Sequence, residues 1–399
     1  MQRLGAVIVF RGLLLVVFLI PIHQGASAAL LGILFLGSFI VGGRIPMSRY
    51  LAQAWDVWLY LLILLVGMLY TEDTDTGLKV LETSLSLFAF PFIFVKVGPF
   101  EKDKLYAVFY AFGAGLLAAF LFCLMHAGIT YEATTEAGSF YADQLTAALD
   151  NTLPVYFAYY LIAMITFGLY LLYYQDGSIR SGVNIFLLAF FFVMLLLMGS
   201  STAIVGVLFS LLYFVLKFMY EEKRRNSHRL AFGISLVFLI CLFAINSLNV
   251  FGEANPGQDD YWERFVLWES AIEAMPNWLV GVGTGDYTAV LNTYYRSHDL
   301  ASFAVSNFNP HNQFIETLFS LGIPGLVAVL LMIGRPIYKA VSTQNIIGFL
   351  TFFPFLIYGM TEVFFGRFQG VVFFAVFHQA FASFYVFQDS SLSLKEDKF

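Results

Sequence analysis

Residues 105–126 read LYAVFYAFGAGLLAAFLFCLMH, twenty-two residues without one charged side chain. A helix of that length rises about 33 Å, enough to cross a hydrocarbon core of about 30 Å, whereas a barrel strand needs only about ten residues. The same apolar signature recurs near 4–21, 26–42, 55–70, 84–97, 153–174, 183–199, 201–220, 230–248, 312–334, 346–363 and 369–388, so the sequence predicts twelve transmembrane helices. Composition agrees. The 399 residues are 59% hydrophobic and 12% charged, where a soluble domain carries about a quarter charged residues. Mean hydropathy is +0.78. The expected fold class is therefore all-α, a polytopic membrane protein. Cys123 and Cys241 both fall in spans and read as small hydrophobes, so cysteine says nothing of the redox compartment. The stretch ending Ala26-Ser27-Ala28 superficially resembles a signal peptide, but its apolar run is long and carries Arg11; it is read as the first retained span.

Basic residues fix the expected orientation. With a cytoplasmic N-terminus, sixteen lysines and arginines fall on the cytoplasmic side and only Lys79, Arg264, Arg296 and Arg367 on the outer side, Arg11 lying within the first span. Both termini are then cytoplasmic. The expected organisation is helices one to nine over 1–248, a large periplasmic loop over 249–311, helices ten to twelve over 312–388 and a cytoplasmic tail over 389–399. Within the loop, Asp259 or Asp260 is placed to cap an amphipathic helix running through Ala274, with Trp262, Phe265, Trp268 and Ile272 beside charged residues. A small lid-like element is expected there, not an independent domain.

Few residues can carry chemistry. Charges inside spans are costly and so suggest function; here they are Arg11, Glu316 and Glu362, with Asp56 and Glu82 near span ends. In NPHNQFIE, residues 309–316, Pro310 suits the first turn of the tenth helix and His311 would follow it there. The positive end of a helix disfavours imidazolium, leaving a ring able to accept a proton, and it also attracts anions such as phosphate. An interfacial histidine bonded to water or a carbonyl fits the spacing as well. Arg264, Arg296 and Arg367 could grip a diphosphate if they converge on His311; singly, each reads as a surface arginine. Asn312 and Gln313 are placed to orient the ring or bind sugar hydroxyls, or simply to start a helix. Glu316, one turn on, is placed to pair with an arginine or bind an acceptor. The glycines of Gly281-Val282-Gly283-Thr284-Gly285-Asp286-Tyr287 lack nucleotide-loop spacing and suggest a turn bringing backbone close to a ligand or the membrane surface. His23, His126, His228, His298 and His378 have no carboxylate or histidine at ligand spacing, so no metal or cofactor is expected. No basic run has the interleaved aromatics of a nucleic-acid surface.

Arg264-Phe265-x-x-Trp268, then Gly281 to Tyr287, then Pro310-His311-Asn312-Gln313-Phe314 and Leu321-Gly322-Ile323-Pro324-Gly325 resemble, in order and spacing, the C-terminal signature of the O-antigen ligase and polymerase superfamily. Gly67 to Asp73, Leu81-Glu82, Phe90-Pro91 and Pro154 to Phe157 resemble its N-terminal half. The resemblance implies a bacterial inner-membrane enzyme that transfers a glycan from undecaprenyl diphosphate to an acceptor hydroxyl at the periplasmic face. Lipid A core is the acceptor for a ligase; another carrier-linked repeat is the acceptor for a polymerase. It further implies that His311 is the essential loop histidine and Arg264 a diphosphate-binding arginine. A second arginine, common in this family at the end of the seventh span, is missing from Gly199-Ser200-Ser201-Thr202-Ala203, and Arg367 or Arg296 would have to replace it. A protein O-oligosaccharyltransferase, a lipid-linked oligosaccharide flippase and a non-catalytic carrier-binding protein are the other readings. Polar groups gathered at one face, with few mid-membrane charges, favour the enzyme.

Overall fold

The computed structural model describes residues 2–41, 48, 52–134, 137–149, 153–174, 178–220 and 260–396, and their regular structure is helical. In chain order the helices are α1 (Gln2–Leu19), α2 (Gln24–Ile40), α3 (Trp55–Gly67), α4 (Thr74–Val97), α5 (Lys102–Thr134), α6 (Ala142–Thr146), α7 (Pro154–Tyr174), α8 (Ser178–Leu197), α9 (Ser201–Tyr220), α10 (Asp260–Glu273), α11 (Tyr287–Ser297), α12 (Ala301–Val305), α13 (Gln313–Ser342), α14 (Ile346–Gly359) and α15 (Phe368–Glu396). Each expected span within the described residues coincides with one of these helices. The ninth, 230–248, lies outside them, as does the start of the 249–311 loop. By length and composition α4, α5, α7, α13 and α15 can cross a membrane; α1, α2, α3, α8, α9 and α14 are shorter apolar helices.

The chain forms two compact units, one of Met1–Gly115, Asp259–Thr343 and Gly359–Phe399, the other of Leu116–Gln258 and Gln344–Tyr358. In the second unit α7 packs against both α8 and α9 and is buried along nearly its whole length. The Thr166 and Ser210 hydroxyls meet at 2.8 Å between α7 and α9, and Phe209 stacks on Phe353 with ring centroids 4.3 Å apart. Tyr358 bonds the Val155 carbonyl at 3.2 Å and pairs with the Ser200 hydroxyl at 3.1 Å. That fastens the α8–α9 turn, in which Gly199 takes φ 63°.

In the first unit α3 lies along α13 and α4 along α15, while α1 and α2 pack together and on α4. Helix α1 comes so close to α5 that a Cβ on Gly115 would lie 2.0 Å from the Phe18 carbonyl oxygen. Small residues allow such approach where lipid tails give helices no hydrophobic reason to associate.

Helix α13 is broken at Gly322, with φ 64° and ψ −165°. A break inside an apolar helix frees backbone groups that must find partners. The 277–283 loop supplies them: Val282 N–H donates to Phe319 O at 3.0 Å, Gly283 N–H to Ser320 O at 2.9 Å, and Ile323 N–H to Trp278 O at 2.9 Å. A Cβ on Gly281 would meet Ser320 O at 2.4 Å, and one on Gly322 would meet Leu279 O at 2.5 Å. The glycine-rich motif thus brings backbone close to α13. Asp286 then accepts from the Glu72 and Asp73 amides at 2.9 and 2.7 Å, and the Thr284 hydroxyl donates to Leu64 O at 2.7 Å. The 277–286 loop is clamped to the end of α3 and the start of α4.

Farther along α13, Arg335 Nη1 lies 2.6 Å from Asp56 Oδ1 and also donates to Gln53 O. His378 Nε2 of α15 lies 2.9 Å from Asp56 Oδ2. Three helices are therefore pinned on one aspartate that is fully buried. The sequence reading found no partner for His378, because spacing along the chain is blind to a carboxylate 322 residues away.

Candidate active site

Helices α10, α11 and α12 share a core with α13: Leu267, Ala271 and Met275 meet Leu291, Tyr295, Ala304 and Phe319. The Asn292 amide donates to Asn307 Oδ1 at 2.6 Å, holding the chain that leads into His311 against α11. The segment from α10 to α12 is thereby fixed over the first turns of α13.

His311 does not enter the helix. Asn312, an extended residue with φ −151° and ψ 111°, is the N-cap, its Oδ1 accepting from the Phe314 and Ile315 amides at 3.0 and 3.1 Å. Asparagine is among the best caps because its short side chain reaches exactly the donors a helix start leaves free. His311 is displaced outward into the left-handed region, φ 44°, with its N–H on Asn309 Oδ1 at 2.8 Å. The expectation of a histidine in the first helical turn is corrected accordingly: the ring meets a carboxylate, not the free amides.

That carboxylate is Glu362, in the turn between α14 and α15. His311 Nδ1 lies 3.3 Å from its Oε2, and Arg264 Nη2 lies 3.5 Å from its Oε1. Arg264 Nη1 also donates to Thr361 O at 2.9 Å. Side-chain exposures of 31% for His311, 27% for Arg264 and 18% for Glu362 leave all three within reach of a ligand. Helix α10, the loop before α13 and one inter-helix turn thus converge through a single glutamate. The sequence marked Glu362 only as a charge within a span, and nothing in linear spacing joins it to His311 or Arg264.

Asn312 and Gln313 use their polar groups on the same turn. Asn312 Nδ2 donates to Met360 O at 3.2 Å. Gln313 Oε1 accepts the Phe365 amide at 2.7 Å, and its Nε2 donates to Thr317 Oγ1 at 3.0 Å. Both are buried, and both set the height of Glu362 against His311. Arg367, exposed at the end of that turn, has no ion pair among the described residues and lies close enough to Tyr287 to influence it electrostatically. Burial, and secondarily the charge of Glu316, push the Tyr287 phenol up from its ordinary range. Arg296 is exposed in the last turn of α11, and no contact among the described residues joins it to His311, Arg264 or Glu362. Glu316 lies beneath the same turn, considered further below.

Among known protein families, a model described as O-Antigen ligase matches residues 186–330, a stretch containing Arg264, the Gly281–Tyr287 motif, His311 and the Gly322 break. The resemblance read from the sequence is shown over that block, and the match supports a glycan-transferring role of the ligase or polymerase kind. A search of curated proteins gives no match.

Proposed function

Starting from a chain whose residues 186–330 carry an O-antigen ligase family domain, we propose that this is a multi-pass enzyme of the bacterial inner membrane that moves a glycan from undecaprenyl diphosphate to an acceptor hydroxyl at the periplasmic face. Ligation to lipid A core is the preferred reaction, and polymerisation of carrier-linked repeats is the runner-up. The observation that carries the reading is the meeting of His311, Glu362 and Arg264 in a half-exposed cluster.

In this reading Glu362 accepts a hydrogen bond from His311 Nδ1–H and so leaves Nε2 as the proton acceptor. The acceptor hydroxyl gives its proton to Nε2 as its oxygen forms a bond to the anomeric carbon. The bond from that carbon to the diphosphate breaks, and the carrier diphosphate leaves with the electron pair. Attack opposite the leaving group inverts the anomeric centre. Among the described residues Arg264 has three of its five N–H donors beyond those on Thr361 O and Glu362, and no carboxylate pairs with Arg367; the two arginines would meet the diphosphate, without need of a metal ion. Arg296 is the third and most distant candidate.

The test is transfer by protein purified into nanodiscs, with a lipid-linked oligosaccharide and candidate acceptors. His311→Ala is expected to slow transfer by about 10²–10⁴-fold, the range for loss of a general base. Unimpaired transfer would remove the base assignment, and unchanged donor affinity in Arg264→Ala would remove the diphosphate role. A deletion strain accumulating unligated full-length chains marks a ligase; single repeats mark a polymerase. Movement of labelled lipid-linked sugar across proteoliposomes without new glycosidic bonds would replace the enzyme with a flippase.

A further inference from the structure

The turn from Met360 to Arg367 is flanked by two glutamates in unlike circumstances. Glu362 has His311 on one oxygen and Arg264 on the other. Glu316, four residues past the N-cap of α13, has neither: its Oε2 is closed off from solvent and meets no hydrogen-bond donor among the described residues. An unpaired carboxyl oxygen in such a place is costly, so a residue of this kind calls for a partner the protein alone does not provide. The groups around it are aromatic and hydroxylic. Tyr60 of α3 and Tyr287 of α11 lie within electrostatic reach of Glu316. The Tyr60 ring also packs on Phe365 of the turn, with centroids 5.8 Å apart. On the other side stands Gly366, where a Cβ would lie in van der Waals range of Glu316 Oε1, at 3.8 Å, and 3.0 Å from Val363 Cγ1.

A carboxyl group set among aromatic side chains is the chemistry that recognises a sugar ring: the oxygen takes a hydroxyl, and the rings cover the C–H face. A phosphate would be drawn to the guanidinium groups of Arg264 and Arg367, not to a carboxyl group. We propose that Glu316, with Tyr60 and Tyr287, forms a sugar subsite beneath the 360–367 turn, in which Glu316 binds one ring hydroxyl and so sets which glycan is held for reaction. This rests on the glycan-transfer reading and assigns Glu316 to recognition, not to the proton transfer of His311. The ring belongs either to the donor glycan or to the acceptor.

The experiment is a cycle between Glu316→Ala and hydroxyl deletion in the ligand. Binding of methyl β-D-glucopyranoside and methyl β-D-galactopyranoside, and of each monodeoxy form, is measured by saturation-transfer NMR on the full chain in nanodiscs. For one ring position, deletion should weaken binding to the wild type about tenfold or more and leave binding to Glu316→Ala changed by less than about twofold. Glu316→Gln, which keeps shape and hydrogen-bonding capacity, guards against a folding defect and should recover part of the preference. Equal losses in wild type and Glu316→Ala at every position, or no binding of either glycoside, would overturn the subsite. In turnover assays, a raised KM in Glu316→Gln for the acceptor alone puts the hydroxyl on the acceptor, and for the lipid-linked donor alone puts it on the donor; neither moving is again contrary. Because binding is read without turnover, a Glu316-dependent preference in a protein that transfers nothing would sink the transferase reading and spare this one. Transfer indifferent to Glu316 would do the reverse.

Discussion

Helix α13 joins two clusters of the same make-up, each a histidine, an arginine and a carboxylate. Before its first turn stand His311, Glu362 and Arg264, at 3.3 and 3.5 Å and all partly exposed. Twenty-odd residues on, about 30 Å along the helix, stand His378, Asp56 and Arg335, at 2.9 and 2.6 Å, with the aspartate at 0% and the histidine at 3% exposure. The tight cluster leaves the carboxylate nothing to offer a ligand, and it ties α3, α13 and α15 together. The loose one has long contacts, spare donors and an open ring. Residue type alone therefore does not mark a site; separation and access do.

Substitution should split the two clusters. The largest effect on chemistry is expected for His311→Ala, about 10²–10⁴-fold in transfer with the thermal midpoint nearly unmoved. The largest effect on stability is expected for Asp56→Ala, which strands Arg335 and His378; breaking a buried pair typically costs about 3–5 kcal/mol. Thermal unfolding in detergent should show it as a large fall in midpoint, and a midpoint within a degree of wild type would deny the pin. Gly322→Ala is expected to lie between. It forces a side chain into a positive φ and against Leu279 O, a strain of order 1–3 kcal/mol, and loosens the 277–283 loop packed on α13. Partial loss of both stability and transfer is the expected pattern, read in the same two assays.

The smallest effect concerns Asp73, the exposed N-cap of α4, which accepts from Thr76 N and Oγ1 at 3.0 and 2.7 Å. Those bonds hold its carboxyl below the usual carboxylate range. Its contribution is therefore whole above the ordinary aspartate pKa of about 4 and is lost as pH falls through the lowered value. Asp73→Ala should lower the midpoint by no more than about 2 °C at neutral pH and by nothing in strong acid; an effect that grows on acidification would contradict the cap.

Much of the helical layout could be read from hydropathy alone, since a 20-residue apolar run has few alternatives in a membrane. His311 and Arg264 were legible through motif spacing. Their connection was not: Glu362 is 51 residues from His311 in sequence, and a lone charge in an apolar run carries no address. The Asp56–His378 contact was hidden for the same reason at greater separation. His311 and Asn312 are neighbours at the helix start, and the superior capping of asparagine decides which of them caps α13 and leaves His311 outside it. The glycine motif 281–285 announced a close backbone approach without saying to what, because the broken segment of α13 that receives it is itself visible only as Gly322 and Pro324.

The most direct test of the division is a pair of near-isosteric changes made side by side, Glu362→Gln and Asp56→Asn, each assayed for thermal midpoint and for glycan transfer. Glu362→Gln should lower transfer at least tenfold and leave the midpoint unmoved, whereas Asp56→Asn should lower the midpoint and leave transfer, per folded molecule, within about twofold of wild type. The opposite assignment, or both variants failing in the same assay, would contradict a functional cluster at one place on α13 and a structural one at the other.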